Sequence, residues 1–542
     1  MSDEAVSTTA GGRDPKWWTL TAVCTGVFML LLDITIVNVA LPDIQQELNA
    51  TLSDLQWVID AYALSLASLL LTAGSLADLY GRRLLFVIGL VVFTLGSVAC
   101  GAAQDIFFLQ ISRAFQGIGG AAMFATALAL LAAAFHGKDR GTAFGVFGAT
   151  TGVAVAVGPV LGGALTSGLS WRWIFFVNVP ICLVALVVSL TKVVESKDRH
   201  AGRPDWIGFV TFSIALGALV YGLIEAGTDG WTTTRVVASF VVSAVLLVVF
   251  VVSQLMQKHP MFDLGLLRKP TFTGGLVAAF GVSASMFSLL TYLVIYVQNV
   301  LGYSAVETGL RFLYLSAASF VAAAIAGRLT EVVPVKWLIG PGFVVLGVGL
   351  LLIHGIQTDS SWTHLIPGMI VSGIGIGLIN PPLASTAVGV VPVARAGMAS
   401  GVNSTFRQVG IATGIATLGS IFSQQITDAV QPQLASKVPP QAVDGLTSAL
   451  SGGQVQPAAS AAQAAAAQNG GASAGQQAHE LIVQVGTSAV VDALNHITLI
   501  AMVTAFVAAA LCLVLIRQKD FVVRGGPETA GEWEQPAEAS AD

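Results

Sequence analysis

Long runs of apolar residues dominate this chain, and they restrict what it can fold into. A helix of about 20 apolar residues crosses the hydrocarbon core of a bilayer, and the sequence contains fourteen such runs. They are 17–41, 54–77, 84–103, 106–134, 141–167, 173–191, 206–227, 236–256, 271–299, 305–329, 337–355, 364–390, 397–423 and 493–516. Only 10% of the 542 residues are charged, against about a quarter in soluble proteins. We therefore predict an all-α integral membrane protein with fourteen transmembrane helices.

The distribution of lysine and arginine supports this count, because loops retained in the cytoplasm collect basic residues. With the N-terminus inside, 19 of the 25 basic residues fall on the cytoplasmic side, three outside and three within spans. An odd number of spans would remove this bias. We predict a multi-pass protein of a bacterial cytoplasmic membrane with both termini in the cytoplasm.

The spans divide into two bundles with an insertion between them. Capping boxes begin span 2 at Ser53 and span 10 at Ser304, which indicates an internal repeat. The predicted parts are a cytoplasmic tail (1–16), a six-helix bundle (17–191), a cytoplasmic loop (192–205), two additional helices (206–256), a second cytoplasmic loop (257–270), a second six-helix bundle (271–516) and a cytoplasmic tail (517–542). Residues 424–491, rich in Ala, Gln, Gly and Ser, are predicted to form an extracellular loop without a core.

Asp33 is a carboxylate inside the first span. An ionisable group in a membrane costs from about 3 to more than 10 kcal/mol, so such groups pair or line an ion or substrate route. Arg113 in span 4 lies at nearly the same depth, roughly 12 Å below the outer surface. We predict that the two side chains pair, and that protonation of Asp33 releases Arg113. The alternatives are a solvated Asp33 and an Arg113 that serves packing alone.

Two further acids and a set of glycines complete the candidate transport machinery. Asp60 in span 2 is a second candidate for proton coupling, and Arg311 holds the equivalent position in the repeat. Near the end of span 2, Gly74 permits close helix approach, and Asp78 can form a charge lock with Arg82 and Arg83. These arginines also serve the simpler purpose of setting topology. In span 5, Gly158 and Pro159 place helix breakers that allow bending or tight packing.

Motifs along almost the whole chain resemble those of one transporter family. The sequence LDITIVNVALP at 32–42 is similar to the span 1 signature of the fourteen-span drug:proton antiporters of the major facilitator superfamily, the EmrB/QacA type. Residues 74–83, 113–120, 152–163 and 171–180 resemble its loop 2–3, span 4, span 5 and span 6 motifs, and residues 298–304 and 400–408 resemble its second half.

This resemblance implies the major facilitator fold and a proton gradient as the energy source, with no cofactor. It also implies that Asp78 and its basic neighbours hold the inside closed while the outside is open, and that Gly158 and Pro159 mark an antiporter. One departure matters, because some relatives carry acids in span 13 where this chain has Arg407. Recognition of multiply charged cations is therefore in doubt.

The expected substrate cavity follows from depth and side-chain chemistry. Its predicted walls are Met29, Asn38, Gln116, Phe287, Tyr292, Arg311, Asn380 and Arg407. The predicted partners are protons, the lipid bilayer and small amphipathic substrates, and nothing in the sequence requires more than a monomer.

We predict a proton-coupled exporter of hydrophobic or cationic drugs that works by alternating access. One alternative is a dedicated exporter of a single metabolite, antibiotic or lipid, and another is a membrane sensor. An enzyme is disfavoured because no paired catalytic groups, metal-ligand spacing or nucleotide-binding loop is found, and no basic stretch interleaved with aromatic residues suggests nucleic acid.

Overall fold

The computed structural model describes residues 15–50, 52–135, 139–197, 205–257, 260–330, 332–392, 395–435, 437–438 and 440–521, and its regular structure there is helical. The helices are α1 (Pro15–Leu48), α2 (Leu52–Tyr80), α3 (Arg82–Gly101), α4 (Ile106–Ala134), α5 (Asp139–Gly168), α6 (Trp173–Phe176), α7 (Asn178–Lys192), α8 (Trp206–Asp229), α9 (Thr234–Met256), α10 (Pro270–Val282), α11 (Ser288–Ile295), α12 (Ala305–Leu329), α13 (Lys336–Ile353), α14 (Leu365–Gly389), α15 (Ala396–Ala435), α16 (Pro440–Ser451) and α17 (Val455–Leu515). Most of the two predicted tails, and the side chains of Asn38, Ser53 and Pro159, lie outside the described residues.

Every predicted span coincides with helix, and twelve described segments are long and apolar enough to cross a membrane. The two predicted spans that are not among these twelve, 141–167 and 397–423, correspond to α5 and α15. Helix α15 carries Asn403, Arg407 and Gln408 in its membrane-level half, which lowers its hydropathy. A multi-pass helical membrane protein is thus established, and the total of fourteen crossings stays a prediction.

The helices form two bundles that meet along two seams. Helices α1–α7 make the first bundle and α10–α17 the second, and the bundles meet where α2 packs on α15 and α5 packs on α12. Helix α8 lies against both α2 and α15, with α9 packed on α8. A hydrogen bond of 2.9 Å between the Thr72 and Ser213 hydroxyls joins α2 to α8. The two additional helices therefore flank the α2–α15 seam.

Most of the described residues between 424 and 491 are helical, so the prediction of a loop without a core was wrong. Helix α15 continues to Ala435, α16 follows, and α17 begins at Val455 and breaks at Gly471, where φ is +80°. Their apolar side chains join the core of the second bundle. The buried members include Ile426, Val430, Leu434, Val443, Leu450, Val455, Ile482 and Val485. These apolar residues recur at a helical spacing that the overall composition of the segment does not reveal. The many alanines also favour a helix, because alanine is the strongest helix former.

The capping box at Ser304 is confirmed. The Ser304 hydroxyl accepts from the Glu307 backbone N–H, and the Glu307 carboxylate accepts from the Ser304 backbone N–H at 2.9 Å. Just before it, the span containing α10 and α11 has two π-helical turns, Ser283–Phe287 and Tyr296–Val300. Such turns are rare and frequent at functional sites. The first of them holds Phe287.

Glu47 near the end of α1 provides a pH-dependent contact outside the membrane spans. Its carboxylate accepts from Trp171 Nε1 at 2.7 Å and from Arg172. The hydrogen bond from Arg172 holds the pKa of Glu47 below its usual value of 4.5. A lowered folded-state pKa stabilises the fold above the unfolded-state pKa, and this contribution disappears as the pH falls through the folded-state pKa.

We therefore expect the melting temperature of Glu47→Gln to lie below that of the wild type at pH 7 and to converge on it as the pH falls below 4.5. Asp359→Asn is the control, because Asp359 is exposed and makes no salt bridge within the described part of the chain. The effect is expected to be small, since Glu47 is half exposed. A constant difference in melting temperature across this pH range would contradict the assignment.

Candidate functional site

Asp33 and Arg113 are in contact at the centre of the first bundle. Arg113 Nη1 donates to Asp33 Oδ2 at 2.5 Å. Asp33 is fully buried and Arg113 is 1% exposed. The pairing of Asp33 with Arg113, predicted from their equal depth in the membrane, is therefore present in the structure.

Three neutral polar side chains, from α3, α4 and α7, complete the site around this ion pair. Gln116 Nε2 and Asn178 Nδ2 each donate to Asp33 Oδ1 at 2.9 Å. Both amides also donate to Ser97 Oγ, at 2.8 and 3.2 Å. Sequence reasoning missed Ser97 and Asn178 as site residues. The signal available was that each is polar within an otherwise apolar stretch.

Arg113 is also held from the side of α2. Its Nε donates to the Val58 carbonyl oxygen at 3.1 Å, and its guanidinium lies 4.2 Å from the ring centroid of Tyr62. Tyr62 is 2% exposed, and its hydroxyl has no hydrogen-bond partner among the described residues. Removing one member of a buried ion pair leaves an uncompensated charge, at a cost of about 3–5 kcal/mol. Protonation of Asp33 is such a removal, so this arrangement can convert proton binding into a structural change.

A second polar site joins the two bundles at the predicted cytoplasmic end. Asp78 Oδ1 accepts from Arg82 Nη2 at 2.8 Å and from the Gly397 backbone N–H at 2.9 Å, and Asp78 Oδ2 accepts from the Met398 N–H at 2.8 Å. Gly397 and Met398 lie in the first turn of α15, whose free N–H groups favour a negative charge. Asp78 thus caps a helix of the opposite bundle. We call Asp78, Arg82 and this first turn of α15 the cytoplasmic lock.

Close backbone packing supports the cytoplasmic lock. A Cβ atom at Gly74 would lie 2.4 Å from the Gly397 carbonyl oxygen, so only glycine allows α2 and α15 to approach this closely.

Arg83 takes a different role from the predicted one, because it contacts Glu195 within its own bundle. The Arg83 backbone N–H donates to Glu195 Oε1 at 3.0 Å. Glu195 there caps the start of α3.

Gly158 in α5 packs against α1. A Cβ atom at Gly158 would lie 2.7 Å from Thr35 Cβ, so the glycine permits close contact with the helix that carries Asp33. The position thus joins α5 by packing to the helix that carries Asp33. The side chain of Pro159 lies outside the described residues.

A narrow cavity lies between the bundles. Its walls are Thr151, Gly152, Phe287, Leu290, Leu315, Ser316, Ser319, Ile376 and Asn380. Its volume is about 20 Å³, enough for one water molecule. Arg407 Nη2 donates to Asn380 Oδ1 at 2.9 Å, which connects this arginine to the cavity wall. Of the predicted cavity residues, Phe287 and Asn380 line it directly.

The other predicted cavity residues lie elsewhere. Met29 is fully buried in the apolar core of the first bundle, and Gln116 belongs to the Asp33 site. Tyr292 packs on Phe422 and donates to the Ile415 carbonyl oxygen at 2.8 Å. None of these three residues lines this cavity, because depth in the membrane does not determine which face of a helix a residue occupies. The side chain of Asn38 lies outside the described residues.

Asp60 and Arg311 lie in different surroundings despite their equivalent positions in the repeat. Asp60 is partly exposed, and the Glu225 carboxylate of α8 acts on it electrostatically. The Arg311 guanidinium lies 3.5 Å from the Tyr303 ring centroid and 5.0 Å from that of Trp362. Neither residue lines the cavity between the bundles.

Comparison with known proteins gives consistent matches. The family model described as Major Facilitator Superfamily matches residues 23–415. The multidrug resistance protein Stp of Mycobacterium tuberculosis is 38% identical over 422 residues, which are 78% of each chain. The puromycin resistance protein pur8 of Streptomyces alboniger is 36% identical over 76% of this chain and 82% of its own.

Among solved structures, a bacterial homologue of the human lysosomal transporter Spinster, in an inward-facing and unoccupied conformation, has a similar fold. The TM-score is 0.53 at 18% sequence identity, covering 95% of this chain and 100% of that one. At this identity the likeness concerns the fold alone.

Proposed function

The chain belongs to the major facilitator superfamily, and from this premise we propose that it exports drugs across the membrane in exchange for protons. It is a transporter of the drug efflux type, as its relatives named for drug resistance support. The proposal adds proton coupling at Asp33, membership of the fourteen-span drug:proton antiporters, a monomeric state and cytoplasmic termini.

The observation that carries the proposal is the fully buried Asp33–Arg113 pair. When the carboxylate of this pair is neutralised, the buried arginine loses its countercharge, so the pair has two states. A ligand that binds the two states differently shifts their populations. A proton is such a ligand. Because the pair is enclosed in the first bundle, its rearrangement acts on the helices that pack against the second bundle.

In the proposed transport cycle, the cytoplasmic lock is the contact that opens and closes. Asp78 holds the start of α15 at the predicted cytoplasmic end. We propose that this lock closes the inside, as the sequence resemblance implies, and that it opens when the bundles rock about the cavity between them.

The test uses purified protein in liposomes with an imposed pH gradient. We expect the accumulation of a fluorescent drug to follow the gradient and to stop when a protonophore dissipates it, without ATP. Protein-free liposomes give the passive rate. An uptake rate that changes with neither the pH gradient nor the protonophore would refute proton coupling.

The alternative of a dedicated exporter keeps the same fold and coupling. Relatives named for a single antibiotic support it, among them the puromycin resistance protein. A panel of structurally unrelated drugs separates the two, because a dedicated exporter moves one chemical series only.

A further inference from the structure

We propose that the cavity between the bundles binds anionic, oxygen-rich aromatic compounds, and that Arg407 recognises their negative charge. This inference rests on the proposed efflux function and assigns it a substrate class. It differs from the sequence-based expectation of hydrophobic or cationic drugs.

Arg407 is a cation without a carboxylate partner. Its Nη2 donates to Asn380 Oδ1 at 2.9 Å, and no Asp or Glu lies within salt-bridge distance of it in the described part of the chain. A guanidinium has five N–H donors, and Asn380 receives one of them. Arg407 is partly exposed, and no carboxylate accepts from its remaining donors in the described part of the chain. A charge at membrane depth usually has a partner, and here a substrate can provide it.

The cavity wall adds no negative charge. Four of its residues, Thr151, Ser316, Ser319 and Asn380, carry a hydroxyl or amide group. The larger apolar side chains are Phe287, Leu290, Leu315 and Ile376, with Gly152 leaving space between them. Hydroxyl and amide groups suit the oxygen atoms of a ligand, while the apolar side chains and the Phe287 ring suit an aromatic skeleton.

The carboxylates of the first bundle do not neutralise the positive charge of Arg407. Asp33 is fully buried and already paired with Arg113. Asp60 lies where α2 meets α8, beside Glu225, and is not part of the cavity wall. The first bundle thus holds the proton-binding acid, whereas the second bundle presents an arginine. This division separates proton binding from recognition of the substrate charge.

An anionic substrate also agrees with the energetics of proton exchange. When a monoanion leaves and a proton enters, both movements are favoured by a membrane potential that is negative inside. The cavity is too small for such a ligand in the present conformation. We infer that the ligand enters when the bundles separate along α5 and α12, which face each other there.

The test compares two dyes that share a xanthene skeleton but differ in charge, fluorescein (anionic at pH 8) and rhodamine 123 (cationic). Binding to the purified full-length protein is measured by fluorescence anisotropy. The variants are Arg407→Gln, Asn380→Asp and, as the charge-preserving control, Arg407→Lys. Asn380→Asp is nearly isosteric and places a carboxylate beside Arg407.

We expect the Kd for fluorescein to rise about tenfold or more in Arg407→Gln and in Asn380→Asp, and clearly less in Arg407→Lys. Rhodamine 123 binding is expected to strengthen in the first two variants, because each removes net positive charge. Equal fluorescein binding by wild type and Arg407→Gln would overturn the inference. So would a parallel loss of both dyes in Arg407→Gln with no change in Asn380→Asp, which indicates a structural role.

Transport of the same dyes into liposomes separates this inference from the proposed function. Gradient-driven transport of rhodamine 123 without any Arg407-dependent binding of fluorescein would leave proton-coupled efflux standing and reject the anion site. Arg407-dependent binding of fluorescein without gradient-driven transport of either dye would support the site and reject proton coupling.

Discussion

Asp33→Asn is expected to reduce gradient-driven drug transport in liposomes by about 100-fold or more, which corresponds to roughly 3 kcal/mol of lost coupling. Asparagine keeps the size of the side chain and can still accept from Gln116 and Asn178, but it cannot take up a proton. Exchange of drug for drug across the same membrane needs no proton and is expected to persist. Retained gradient-driven transport in Asp33→Asn would rule out Asp33 as the coupling residue.

The same substitution leaves Arg113 buried without a countercharge, which by itself destabilises a fold by about 3–5 kcal/mol. The double variant Asp33→Asn/Arg113→Gln controls for this effect, because it removes both charges together. We expect its melting temperature to exceed that of Asp33→Asn while gradient-driven transport stays absent. If the double variant recovers transport, the defect of Asp33→Asn is one of stability and not of coupling.

Gly74→Ala is expected to lower transport about tenfold or more by preventing closure of the cytoplasmic lock. The added Cβ would lie 2.4 Å from the Gly397 carbonyl oxygen, so α2 and α15 must move apart. Asp78 would then lose its short hydrogen bonds to the first turn of α15. Gly217→Ala in α8 is the matched control, because the nearest atom to its new Cβ is 3.7 Å away.

The lock can be observed directly through the reactivity of a cysteine at Ser400. Ser400 is fully buried one turn into α15, and the four native cysteines are buried and unpaired. In Ser400→Cys we expect slow reaction with a maleimide from the cytoplasmic side, and a several-fold faster reaction when Gly74→Ala is added. Equal labelling rates in the two backgrounds would mean that Gly74 does not control closure.

Much of the architecture could be predicted from the sequence because it depends on local properties. The length of the apolar runs predicted spans that all coincide with helix in the structure. The asymmetry of the basic residues supported the number and orientation of those spans. The capping box at Ser304 was also predictable, since its hydrogen bonds connect residues three positions apart. Asp33 and Arg113 could be matched because depth along a helix follows from counting residues, and few partners exist for a charge inside an apolar bundle.

The prediction for residues 424–491 failed for a physical reason. Glycine and serine are common in turns and loops, but an alanine-rich segment becomes helical when a few large apolar residues can be buried on a neighbouring surface. Here Ile426, Val430 and Ile482 are buried in the core of the second bundle. That surface exists only in the folded protein.

The sequence by itself determined the helices at the predicted spans, their order, their predicted orientation and the predicted depth of each charged residue. The tertiary structure alone decided the rotation of each helix about its axis and the contacts between bundles. It placed Met29 in the core, Asn178 beside Asp33, and Asp78 at the start of α15 in the other bundle. Depth follows from the rise per residue within one helix, whereas rotation depends on how the surfaces of neighbouring helices fit together.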